Sequence, residues 1–93
     1  MAEGRAVIVR TYSAGVHYGR LIDRRGKEVD LGNARRIWSW KGANTLHELS
    51  LHGVASGSRV SETVDRITLT EAIEIIDCAP EAIANLESAK WSQ

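Results

Sequence analysis

A chain of 93 residues that is 43% hydrophobic and 26% charged has the make-up of one ordinary globular domain, residues 1–93, and this composition excludes a disordered chain. At this length only about 60 to 65% of the unfolded surface is buried, so stability must come from a small core or from assembly. The single Cys78 excludes an internal disulfide and any multi-cysteine zinc site. Net charge is zero, but residues 1–41 carry nine Arg and Lys against four acids, and residues 42–93 carry three against eight.

Two halves of opposite sign can neutralise one another within a monomer or between subunits, or leave a basic face for an anion. Whole-domain basicity, the usual footprint of a nucleic-acid binder, is missing, so no duplex nucleic acid is expected as a partner. The apolar run Ala6 to Val9 is too short for the core of a signal peptide, and no stretch approaches the roughly 20 apolar residues of a membrane helix. With a lone cysteine, these features predict a reducing cytoplasm and no membrane partner.

In chain order, "RAVIVRTYSAGVHYGRLID" predicts two strands joined at Ser13-Ala14-Gly15, where the glycine can take a positive φ. The return strand runs from Val16 to Ile22. In "DRRGKEVDLGN" a tight turn at Arg25-Gly26 leads to a third strand, Lys27 to Leu31, which completes a meander. Gly32 and Gly42 bracket "ARRIWSW", a helical turn or a strand. The strand is favoured, and period-2 alternation would then put Trp38 and Trp40 side by side on one face, opposite Ile37 and Ser39.

"NTLHELSLHG" predicts a short helix near residues 44–52. Asn44 or Thr45 can cap it, Glu48 stands where a capping box needs an acid, and Gly53 suits a left-handed stop. Leu46, Leu49 and Val54 form its apolar side, with Leu51 partly turned away. "VASGSR" is a loop. "VSETVDRITLTEAIEIID" alternates as one bent strand or two consecutive strands, with a helix from Thr70 to Asp77 as the alternative. Pro80 opens a C-terminal helix near residues 80–90, with Glu81 at its positive end and Ile83, Leu86 and Lys90 or Trp91 along one side. The fold class is therefore α+β: a small, mainly antiparallel curved sheet with a short central helix and a C-terminal helix.

The chain contains no dinucleotide fingerprint or Walker loop. His47 and His52, five apart, point in different directions on one helix, which argues against a metal pair, and no metal or cofactor is expected. Two clusters are candidate ligand sites. Trp38 and Trp40 lie among Arg35, Arg36 and Lys41: an indole stacks on a nucleobase while a cation takes a phosphate, or else the indoles fill a core or an interface. Arg10, Thr11, Tyr12, Ser13, His17 and Tyr18, with Arg20, surround the first glycine turn, either as phosphate and ring donors or as solvated strand positions and edge-covering tyrosines. Glu71, Glu74 and Asp77 form an acid/base set or a solvated acidic side. Cys78 is a nucleophile or a small buried hydrophobe.

At "VIVRTYSAGVHYG", "NARRIWSWKGANTL" and "LTEAIEIIDC" the chain resembles a family of small proteins encoded by tailed bacteriophages and prophages. The likeness implies a protein acting in the cytoplasm of an infected bacterium, or carried in a virion, and it assigns no catalytic residue. The leading expectation is a non-enzymatic homo-oligomer that captures a nucleotide-like anion, such as a bacterial immune signal, and so blunts defence. Two alternatives stay open: a protein-interaction module that inhibits a bacterial host protein or forms a minor virion component, and a small nucleotide-degrading enzyme using His17 or an acidic residue.

Overall fold

The computed structural model describes residues 4–89. Strands β1 (Ala6–Thr11), β2 (Val16–Arg25) and β3 (Glu28–Ser39) form the expected antiparallel meander. Helix α1 (Leu46–His52) and the two-residue strand β4 (Arg59–Val60) follow, then β5 (Val64–Leu69), β6 (Ala72–Asp77) and helix α2 (Pro80–Ser88). The sheet runs β4-β3-β2-β1-β6, and β5 shares the outer edge of β3 with β4. Every pairing is antiparallel, so the α+β expectation holds.

Curvature comes from the sequence. Only Thr70 and Glu71 join β5, which pairs with β3, to β6, which pairs with β1. So short a link forces the two edges towards each other. The Ala72 amide donates to the Lys27 carbonyl (3.0 Å) and the Tyr12 amide to that of Glu71 (3.0 Å), which brings the tip of the β2–β3 hairpin beside the end of β1. The sheet coils without closing, and its inner face holds Val7, Val9, Val29, Leu31, Ala34 and Leu69. The other face carries Ala6, Ile8, Tyr18 and Ile37, covered by Leu49 of α1 and by Ala82 and Leu86 of α2. Both faces of β1 are therefore dry, which is why Ala6 to Val9 is a continuous apolar run and not an alternating one.

The third strand differs from expectation. It does not stop at Leu31 and restart after Gly32-Asn33 but runs unbroken from Glu28 to Ser39. Two residues of β3, Asn33 and Ala34, stand opposite Gly19 where the register shifts, and Asn33 takes a φ of 47°. This is a bulge: asparagine tolerates the left-handed region, and the kink coils the hairpin. On the partner strand a Cβ at Gly19 would lie 3.1 Å from the Gly32 carbonyl oxygen, so glycine permits the close approach.

The remaining elements follow their local signals. Thr45 Oγ1 accepts from the Glu48 amide (3.1 Å), Glu48 Oε1 accepts in return from the Asn44 amide (2.6 Å), and Gly53 ends α1 at a φ of 82°. Residues 34–39 and 72–77 are strands, not helices. Helix α2 starts at Pro80 and buries Ala82 and Leu86, with Ile83 half-buried. Lys90 and Trp91, expected on that side, lie outside the described residues. The oppositely charged halves meet in Arg5–Asp77, Arg10–Glu74 and Arg20–Glu87 ion pairs, each partly exposed and worth under about 1 kcal/mol.

Candidate functional site

His17 of β2 and Arg36 of β3 are direct partners across the ladder. The His17 ring is buried, whereas Arg36 stands in solvent. Arg36 Nε donates to His17 Nε2 (3.3 Å). A ring nitrogen that accepts carries no proton, so in the neutral ring the proton is on Nδ1. Nδ1 is buried with no hydrogen-bond partner. Burial, and then the adjacent Arg36 charge, push the His17 pKa down to about 4, which keeps the ring neutral and able to accept at neutral pH.

Beside this pair opens a cleft of about 230 Å³ lined by His17, Ala34, Arg36, Glu62, Val64 and Ile67, among others. Its lining surface is mostly apolar, with Ala34, Val64 and Ile67 as its aliphatic residues. Among the described residues neither the Arg36 guanidinium nor the Glu62 carboxylate makes a salt bridge; both border the cleft, where the Glu62 charge also acts on Arg35. Arg5, Arg10, Arg20, Arg25 and Arg66 all hold carboxylates. Two residues along β3, Trp38 is 60% exposed, and the Arg59 guanidinium from β4 lies 5.5 Å from its ring centroid.

The two expected clusters are thus only partly brought together. His17 and Arg36, drawn from different clusters, meet at the cleft, with Arg35 also along its lining. Arg35, however, is 8% exposed and structural: its Nε donates to the Ser61 carbonyl (2.7 Å) and an Nη to that of Leu86 (2.8 Å), tying β3 to the last turn of α2. Burial moves its pKa down. Tyr18 is core, its hydroxyl donating to Glu87 (2.8 Å); burial and that bond raise its pKa. Thr11 closes the first turn, accepting from the Ala14 amide (2.8 Å) and donating to the Gly15 carbonyl (2.8 Å). Ser13 donates to Glu71 (2.7 Å), Arg10 pairs with Glu74, and Tyr12 is 79% exposed.

The tryptophans do not share a face. The β3–β4 pairing shifts register between Ile37 and Ser39, and β3 ends there. Trp40 consequently turns onto the helix-side core with Ile37, while Trp38 stays outside. Lys41 is exposed, its amide bound to Ser58 Oγ (2.9 Å). Sequence reasoning missed Glu62 and Arg59. Glu62 was an ordinary polar position in an alternating stretch, and Arg59 reaches Trp38 only through the pairing of β4 with Ser39. Cys78 is half-buried, and burial pushes its thiol up to about 12, so it is no nucleophile at neutral pH. Among the described residues no cluster of His, Cys, Asp and Glu is arranged to hold a metal ion.

Fold and site together define a small α+β domain built on a coiled open sheet, with a cleft that presents a buried histidine, a guanidinium and a carboxylate. A family model described as a domain of unknown function, DUF6948, matches residues 4–86, and the chain belongs to that family. No curated protein and no solved structure matches it.

Proposed function

We propose that the domain binds a small, nucleotide-like anion at the Arg36 cleft and does so without transforming it. The observation that carries this reading is the Arg36 guanidinium, oriented by a buried neutral histidine, lacking a carboxylate among the described residues, and bordering an apolar cleft. A guanidinium held this way offers its two Nη groups as a ready fork for acceptor oxygens or nitrogens. Ala34, Val64 and Ile67 supply aliphatic surface for a flat ring, and Trp38 with Arg59 adds an aromatic and cationic surface beyond it.

The resemblance to phage proteins supports placing this binding in the cytoplasm of an infected bacterium, where sequestering a nucleotide signal would blunt host defence. Homo-oligomerisation belongs to the same proposal. Its support is that β5 and β6 lie at sheet edges and expose Val64 and Ile73.

Native mass spectrometry with a mixture of linear and cyclic nucleotides tests the reading and counts subunits at once. The wild type gains the mass of an intact nucleotide, and Arg36→Ala, with its fold checked by far-UV circular dichroism, does not. A ligand released with altered mass would point to an enzyme. No added mass would overturn the proposal in favour of a second reading: an interaction module that docks a host protein on Trp38, whose 60% exposure is unusual for a residue enriched at binding hot spots.

A further inference from the structure

The cleft has two charged walls, and this restricts which part of a nucleotide enters it. A phosphate would meet Arg36 favourably but would also face the Glu62 carboxylate, which makes no salt bridge among the described residues and whose charge acts on Arg35, a cation already bound to backbone carbonyls. The volume, about 230 Å³, also lies below the range typical of sites that engulf whole drug-sized ligands. A single base suits such a space, with the sugar and phosphate left outside it.

The hydrogen-bonding complement selects the base. With Nε engaged by His17, Arg36 presents two Nη donors side by side, which call for two adjacent acceptors. Glu62, ionised, is acceptor-only and calls for two adjacent donors. Adenine alternates donor and acceptor on its N6/N7 edge. Cytosine offers one exocyclic donor, and uracil one ring N–H between two carbonyls. Guanine alone carries paired acceptors, O6 and N7, next to paired donors, N1–H and the 2-amino group.

We infer that the cleft is a guanine-reading site, with Arg36 on O6 and N7, Glu62 on N1–H and the 2-amino group, and the base lying against Val64 and Ile67. This rests on the nucleotide-binding reading above and names the ligand class for the same site. His17 is a positioning residue here: it orients the fork and does not touch the ligand, since its free nitrogen is buried.

Isothermal titration of the full chain with GMP, IMP and AMP, repeated on Glu62→Ala, tests the inference. One well-made bidentate contact discriminates by about 1 to 3 kcal/mol, so GMP binds at least about tenfold more tightly than AMP. IMP, which lacks the 2-amino group, falls between them. In Glu62→Ala the GMP preference over IMP disappears, while far-UV circular dichroism, for a side chain in solvent, is unchanged. Equal binding of GMP and AMP by the wild type, or a preference for GMP over IMP that survives Glu62→Ala, would overturn guanine reading and leave nucleotide binding standing. Absence of binding by all three, in a protein that also gains no nucleotide mass in the mixture experiment, would remove both.

Discussion

Acidification destabilises this fold through His17, and the size of the effect follows from its burial. The ring is 1% exposed, and its pKa falls from about 6.5 to about 4 on folding. Between those values the unfolded chain binds a proton that the folded chain refuses, so stability falls as the pH falls. Above about 6.5 both states hold a neutral ring and nothing is lost. The slope is about 1.4 kcal/mol per pH unit, so a drop from about pH 7 to about pH 4.5 removes roughly 2 to 3 kcal/mol. That is a large part of the ~5 to 15 kcal/mol that holds a small domain together. Urea denaturation across this range, on the wild type and on His17→Gln, isolates the effect, because the carboxylates titrate alike in both and the amide does not titrate. The expected result is a difference in unfolding free energy between the two proteins that changes by ~2 to 3 kcal/mol over the range. A difference that stays flat with pH would refute the buried neutral histidine.

Two further outcomes test the local account. Thr45→Ala removes the side-chain acceptor for the Glu48 amide at the start of α1, and should lower the urea-derived stability by about 1 kcal/mol without moving the far-UV spectrum of the folded state. Cys78, half-buried with its thiol pushed up to about 12, should react with a disulfide reagent at about pH 8 far more slowly than in urea, where it regains an ordinary thiol pKa; equal rates would contradict its burial.

Local signals in the sequence foretold the elements whose determinants are themselves local. Thr45, Glu48 and Gly53 announce both ends of α1, and Pro80 announces the start of α2. What escaped depends on a partner strand. Gly32-Asn33 reads as a turn because the same residues build turns and bulges, and only the register against Gly19 makes it a bulge inside one long strand. The separation of Trp38 from Trp40 has the same origin, a register shift against β4.

The site was legible in its residue types but not in its grouping. His17 and Arg36, singled out from the sequence, do meet at the cleft, yet Tyr18 and Arg35 are fixed by Glu87 and by backbone carbonyls that lie about 50 or more residues away in the chain. Nothing near position 62 distinguishes Glu62, just ahead of β5, from the other exposed acids of this stretch. Its meaning arises only when the coiled sheet sets it beside a cleft that Arg36 also borders.

The most direct test of the central claim is a nitrogen-15 NMR titration with GMP that follows the Arg36 Nε–H signal together with the backbone amides. Binding at the cleft predicts saturable shifts of Arg36 Nε–H and of the Val64 and Ile67 amides, with the first hairpin turn at Ser13 to Gly15 unmoved. Shifts confined to another surface, or none at saturating GMP, would contradict it.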